Sequence, residues 1–217
     1  PIPTSIRLPI RKLKPGQLPG MMLHEAFHLP AFWLLTVALS LTMLGSTIVQ
    51  VYQIPALITR GYDPVVAASV AGGLGLASLP GRVIFNLLSE RISPHLLLCG
   101  SILTQAVGML LLIFAPSLGW LVVYVLLYGA AYGAISPLRA AVMAEHMGRR
   151  AYGSILAWQG IAVALSSGIG LVVAGWLNDT LHTYTLAFWL CVGVFLLATL
   201  SIVLTPPPRI SREDSRL

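Results

Sequence analysis

Six long apolar segments, each long enough to cross a lipid bilayer, are the feature that most constrains how this sequence folds. A spanning helix needs about 20 predominantly apolar residues, and six such segments with short connections fill most of the 217 residues. Hydrophobic residues make up 57% of the chain and charged residues only 9%, whereas soluble domains carry about 25% charged residues. A soluble core could not bury this much apolar surface. The sequence therefore predicts an all-α membrane protein.

Prolines and polar turns separate the predicted spans. We expect helices over residues 29–54, 64–88, 95–114, 118–143, 152–177 and 184–204, the first of them ending at Pro55. Residues 1–28 are predicted to be a linker with an amphipathic lead-in, 29–204 the six-helix transmembrane bundle, and 205–217 a polar tail. The chain begins without Met and without the apolar run of a signal peptide. We expect it to be a fragment of a longer protein.

The basic residues are distributed very unevenly between the two sides of the predicted membrane. Twelve of the 13 Lys and Arg residues fall on the side that carries both chain ends, and only Arg60 falls on the other. Basic residues accumulate on the cytoplasmic side of membrane proteins. The pattern predicts cytoplasmic termini, with lipid as the surrounding partner, and it gives no indication of nucleic-acid binding. A bacterial inner membrane is the expected location.

Four of the six spans carry a polar stripe at helical spacing. Polar side chains are costly in hydrocarbon, so they face a bundle interior or water. We therefore predict a wet cavity between the first, second, fourth and fifth spans, with the third and sixth as lipid-facing supports. The alternative is that the stripes only join helices by hydrogen bonds. The stripes are Thr42, Ser46, Gln50 and Gln53; Ser78, Arg82, Asn86 and Ser89; Tyr124, Tyr128, Tyr132, Ser136 and Arg139; and Tyr152, Gln159 and Ser166.

A faint internal repeat divides the spans into two sets of three. The first span ends in QIPAL and the fourth in ISPLR, and each leads through a polar turn into a helix rich in Gly, Ala and Ser. An odd number of spans per copy places the two copies in opposite orientation, which is typical of secondary transporters. The fold class predicted is half of such a transporter, built as two inverted three-helix repeats.

Two segments resemble the major facilitator superfamily. GRVIFNLLSERI, from Gly81 to Ile92, is similar to its loop signature G-x-L-x-D-R, with Asn86, Glu90 and Arg91 standing for the glycine, aspartate and arginine. The basic pair that closes that signature is replaced here by ISPH. YGAAYGAISPLRAAVMAEHMGRRAYGSILAWQG resembles the tenth span, loop and eleventh span of bacterial members akin to monocarboxylate transporters, and HLPAFWLL the start of their seventh span.

The resemblance covers about residues 23–207 and implies spans seven to twelve of a twelve-helix transporter. In that fold the first, second, fourth and fifth helices of each half line the cavity, and these are the striped helices. The implied function is the carboxy-terminal half of a secondary transporter that moves a small organic anion, such as a monocarboxylate, by alternating access. The implied partners are an amino-terminal six-helix half, the small-molecule substrate and a coupling ion, with symport and antiport both open.

Arg82 is the sharpest candidate for a substrate contact. The resemblance implies that an arginine here holds the substrate carboxylate, and a guanidinium does pair with carboxylate in two parallel hydrogen bonds. The alternatives are snorkelling to the interface or pairing with Glu90 or Glu145. Further candidates to line the site are Gln50, Gln53, Tyr128, Tyr132, Gln159 and Arg139. A cytoplasmic gating and charge network is predicted from Asn86, Glu90, Arg91, Glu145, Arg149 and Arg150.

One enzymatic motif needs an answer. The run from His24 through Glu25 to His28 matches H-E-x-x-H, in which two histidines hold zinc and the glutamate activates water. Catalytic zinc normally takes a third protein ligand, and no downstream residue is an obvious one. We therefore predict no metal, no cofactor and no enzymatic activity, and keep a membrane zinc metalloprotease and a non-transporting six-helix scaffold as alternatives. Carboxylates lie near loops rather than deep in a span, so the coupling ion stays open.

Overall fold

A computed structural model describes residues 22–148, 150–181 and 183–206, and in these residues the regular structure is helical. Six of the helices are long and apolar enough to span a membrane, which confirms the six predicted spans. The proposed linker up to residue 21 and the tail from residue 207 lie outside the described residues. The helices are α1 (Leu23–Phe27), α2 (Pro30–Thr59), α3 (Pro64–Leu88), α4 (Pro94–Phe114), α5 (Leu118–Met147), α6 (Tyr152–Leu181) and α7 (Tyr184–Val203).

Three of the spanning helices begin with a proline, and a polar residue caps two of these three. Pro30, Pro64 and Pro94 each stand in the first turn, where the missing N–H has no intrahelical partner to lose. Asp63 caps α3 by accepting from the Val65 amide at 2.7 Å, and Ser93 caps α4. Such caps satisfy N–H groups that the first helical turn leaves unpaired.

The predicted end of the first span at Pro55 is wrong. Helix α2 continues through Pro55 to Thr59 and is capped at Arg60. Pro55 has no N–H to donate to the carbonyl of Val51, four residues earlier, and a spanning helix tolerates this loss because neighbouring groups satisfy the freed backbone. Helices α5 and α6 likewise run beyond their predicted ends, to Met147 and Leu181. Hydropathy marks where a segment leaves hydrocarbon, while a helix can continue into the interface.

The helix contacts have the symmetry of an inverted repeat. Helix α3 packs on α5 as α6 packs on α2, and α4 packs on α5 as α7 packs on α2. Helices α4 and α7 also pack on each other. Exchanging α2 with α5, α3 with α6 and α4 with α7 maps these contacts onto one another. The predicted fold class, two inverted three-helix repeats, is confirmed.

Glycines bring the backbones of α3 and α5 into direct contact. A Cβ atom on Gly81 would overlap the Ala130 carbonyl, and one on Gly133 would overlap the Ser78 carbonyl. Small residues permit this close approach between spanning helices. In the equivalent pair, Gly170 of α6 faces α2 in the same manner. The two pairs α3–α5 and α2–α6 are therefore the closely packed units of the bundle.

The α3–α5 contact predicts different outcomes for two substitutions in one helix. Gly81→Ala forces a methyl group into the α5 backbone, and we expect it to cost about 1–3 kcal/mol, the usual range for overpacking. Gly72→Ala is the matched control, because nothing lies within 4 Å of the Cβ it would add. Thermal unfolding in detergent, followed by circular dichroism, measures both. An equal loss of stability in the two variants would contradict the close helix contact.

Candidate functional site

Four helices enclose a cavity of about 140 Å³. They are α2, α3, α5 and α6, which are the four spans whose polar stripes predicted a shared wet surface. Helices α4 and α7 contribute no lining residue. The predicted set of cavity helices is thus confirmed. The lining residues are Leu39, Thr42, Met43, Ser46, Arg82, Tyr132, Gly133, Ile135, Ser136, Arg139 and Val163.

Two guanidinium groups line this cavity. Arg82 comes from α3 and Arg139 from α5, six and eight residues before the ends of their helices. At about 1.5 Å per residue they stand about 9 and 12 Å from the end of the bundle where α3 and α5 finish. We call this the basic end, since Arg91 and Arg150 also lie there. The described lining residues include no carboxylate, so their net charge is positive.

Arg139 is held in a defined orientation. Its Nε donates to Gln159 Oε1 at 2.7 Å and its Nη2 donates to the Leu156 carbonyl at 3.0 Å. Both acceptors belong to α6, so the side chain bridges α5 and α6. Gly160 of α6 packs beside the guanidinium, and a Cβ there would lie 3.6 Å from Nη2, an ordinary van der Waals contact. Gln159 itself is 0% exposed. In this conformation it positions Arg139 and does not line the cavity.

A ladder of glutamine–tyrosine contacts joins α2 to α5. Gln50 Nε2 donates to the Tyr132 hydroxyl at 3.0 Å, and the Tyr124 hydroxyl donates to Gln53 Oε1 at 3.1 Å. Tyr128 lies between these two pairs on α5 and stacks on Tyr132, with ring centroids 6.5 Å apart. Long polar side chains thus bridge two helices whose backbones barely touch. For these residues, the alternative interpretation, that the polar stripes join helices by hydrogen bonds, is correct.

The ladder sorts the candidate residues into lining and wall. Tyr132 lines the cavity. Gln50 is exposed and donates a hydrogen bond to Tyr132. Gln53 and Tyr128 are 2% and 1% exposed and do not line the cavity in this conformation. Helical spacing placed Gln50 and Gln53 on the polar stripe of one helix and Tyr128 and Tyr132 on that of another. Their depth in the bundle depends on neighbouring helices, which spacing does not report.

Gln105 of α4 is a buried polar residue that sequence reasoning passed over. It is 0% exposed, and its Oε1 accepts from the hydroxyl of Ser46, a cavity-lining residue, at 3.2 Å. The prediction that the third span is only a lipid-facing support is therefore wrong at this position. The available signal was a lone amide in an apolar span, because such a group needs a partner inside the bundle.

The residues of the predicted gating and charge network differ in how far they are exposed. Asn86, Glu90 and Arg91 are exposed and Arg150 is half-buried. Glu145 Oε2 is buried and has no hydrogen-bond partner among the described residues, and Arg149 lies outside them. The proposed gating and charge network stays a prediction.

The H-E-x-x-H segment does not form a metal centre in the described part of the chain. Helix α1 has only five residues, and Glu25 Oε2 accepts from the Met22 amide at 2.7 Å. His24 and His28 are exposed. No group of three or more His, Cys, Asp or Glu residues within the described ranges is arranged to hold a metal ion. Nothing in this geometry supports the metalloprotease alternative.

Comparison with known proteins identifies what the chain is similar to. A family model described as Major Facilitator Superfamily matches residues 31–216. Monocarboxylate transporter 13 of Bos taurus is 28% identical over 194 residues, covering 87% of this chain and 45% of the relative. Its counterpart in Rattus norvegicus is 30% identical over 177 residues, covering 79% and 40%. The chain therefore spans less than half the length of these relatives.

The fold also matches solved structures. The crystal structure of the transporter FucP in the outward conformation superposes with a TM-score of 0.70 at 17% identity. The match covers 81% of this chain and 42% of that one. At this identity the likeness concerns the fold alone.

The ladder predicts opposite responses from two neighbouring tyrosines. Tyr124→Phe removes the donor to buried Gln53, and leaving a buried acceptor unpaired costs about 1–3 kcal/mol. Tyr128→Phe removes a buried hydroxyl that has no partner among the described residues, so we expect unchanged or higher stability. Thermal unfolding in detergent compares the two. A loss at Tyr128→Phe as large as that at Tyr124→Phe would contradict this assignment.

Proposed function

This chain belongs to the Major Facilitator Superfamily, and we propose that it is the carboxy-terminal half of a secondary transporter that moves a small organic anion by alternating access. The chain is similar to monocarboxylate transporters, and it is a membrane transporter chain by family. The anion, the transport cycle and the second half are the parts that we propose.

The observation that carries the proposal is Arg82 in the cavity wall. A permanently charged group inside a bundle is expensive in hydrocarbon, and such residues mark substrate or ion pathways. Arg82 lines the cavity, and its planar guanidinium fits a carboxylate in two parallel hydrogen bonds. Tyr132 and Ser136 place hydroxyl groups on the same wall. Together they favour a small anion with further polar groups.

The second half is inferred from the faces that this chain leaves uncovered. Helices α3 and α6 are the least buried of the six spans. Their exposed side chains include Leu76 and Val83 on α3, and Val172 and Trp176 on α6. In transporters of this architecture the substrate site lies at the interface between repeats. We propose that an amino-terminal six-helix half covers the cavity and that lipid covers the remaining apolar surface.

The proposal also covers how the cavity opens and closes and how transport is coupled to an ion. We propose that the Gln50–Tyr132 hydrogen bond adjusts as the cavity opens and closes, and that Asn86, Glu90, Arg91, Glu145, Arg149 and Arg150 steady one conformation at the basic end. With no carboxylate in the lining, proton coupling through an acid of this cavity is not supported. The charge of the anion, or a group in the second half, supplies the coupling. The basic end faces the cytoplasm, in a bacterial inner membrane.

Transport measurements on two single variants, each replacing one arginine by lysine, test the proposal. Arg82→Lys in the complete two-half transporter keeps the charge but loses the planar fork, so we expect carboxylate uptake to fall about tenfold or more. Arg60→Lys is the control, because Arg60 lies at the opposite end and donates to the Leu112 carbonyl at 2.6 Å, which lysine can also do. Uptake of radiolabelled carboxylates into proteoliposomes is the measurement. Unchanged uptake in Arg82→Lys would overturn the role of Arg82. If the protein took up no carboxylate yet still bound a partner, it would be the non-transporting six-helix scaffold instead.

A further inference from the structure

We infer that the transported anion carries two acidic groups, one for Arg82 and one for Arg139. This inference rests on the proposed function and makes its substrate class more specific. The two guanidinium groups line the same cavity of about 140 Å³, and none of the described residues in its lining is a carboxylate. One small molecule can therefore reach both.

Arg139 lines the cavity and keeps one edge of its guanidinium free of hydrogen bonds to the described residues. A guanidinium has five N–H donors, and Arg139 uses two of them, one on Nε and one on Nη2, in its bonds to α6. Three donors remain, on Nη1 and Nη2, and they form the end of the fork that pairs with a carboxylate. The bonds to α6 fix the plane of the group. Arg139 is thus pre-oriented, which lowers the entropic cost of binding.

Charge balance separates a dianion from a monoanion. During alternating access the occupied cavity closes, and water no longer screens its charges. A monocarboxylate would neutralise one guanidinium and leave the other as an unpaired charge away from water, which is unfavourable. A dicarboxylate neutralises both. Among the residues that the structure describes, no acid lines the cavity to balance the second arginine, so we expect the ligand to supply that balance.

Another role for Arg139 has to be separated from this one. The side chain also ties α5 to α6 through Gln159 and Leu156, and such a tie would stabilise the bundle whatever the substrate. A purely structural tie affects every substrate equally. A binding edge affects only ligands that reach it with a second acidic group.

The test compares succinate with propionate, which differ by the second carboxylate. The complete two-half transporter, in proteoliposomes, takes up each radiolabelled probe at matched concentrations. We expect kcat/KM for succinate to exceed that for propionate about tenfold or more, as for a hydrogen bond to a charged group. Because Arg139→Gln also removes the tie to α6, the measured quantity is the ratio of the two uptakes: the variant should lower succinate uptake about tenfold or more relative to propionate uptake. Arg139→Lys should restore part of the preference, because it restores the charge.

Three other results would each overturn either this inference or the proposed function. Propionate uptake without succinate uptake overturns the inference and leaves the proposed function intact. A parallel loss of both probes in Arg139→Gln assigns Arg139 to the structural tie and also overturns the inference. Uptake of neither probe, nor of any other carboxylate, by protein that elutes as a folded species overturns the proposed function itself. Unfolding temperatures of both Arg139 variants in detergent show whether they are folded.

Discussion

The structure depends on the absence of water around its helices. In hydrocarbon each polar group has to find a partner within the protein, and the side chains divide by whether their own helix can supply one. Thr36 and Thr42 donate to carbonyls four residues earlier at 2.7 Å, and Ser101 does the same at 2.8 Å. Glutamine, tyrosine and arginine are too long or too polar for this solution. They reach other helices, and their bonds determine where α2, α4, α5 and α6 are linked across the bundle.

Two kinds of helix contact result, and the cavity lies where they meet. Glycine contacts bring α3 against α5 and α2 against α6 with backbones touching, as Gly133 and Gly170 show. Two direct hydrogen-bonded links between these pairs are Gln50 to Tyr132 and Arg139 to Gln159, and α4 and α7 also join the pairs by packing on α5, on α2 and on each other. Backbone contacts between packed helices resist displacement, whereas a side-chain hydrogen bond can lengthen or exchange for water. A relative movement of the two pairs therefore has to change both these hydrogen bonds and the packing of α4 on α7.

The number of spans and the helices around the cavity could be predicted because they depend on properties of single segments. Apolar length marks a span, and polar spacing marks a face. Depth and partner could not be predicted in this way. Tyr128 and Tyr132 are four residues apart on the same stripe, yet one is buried in the wall and the other lines the cavity, because α2 and α7 cover them differently. Pro55 misled for a related reason, since its effect depends on what satisfies the backbone around it.

The positive cavity bears on how a transporter of this kind would avoid leaking. Arg82 and Arg139 are tolerable while the cavity is open, because water solvates them. Closing an empty cavity would remove that water from two cations with no acid in the lining, and burying unpaired charge is costly. A bound anion removes the cost by pairing with them. The free energy of closing therefore depends on the ligand, and a difference between loaded and empty states is what shifts a conformational equilibrium. Under the proposed function, the arginines that would bind the anion would also hinder the empty carrier from changing sides, so recognition and coupling would share one electrostatic origin.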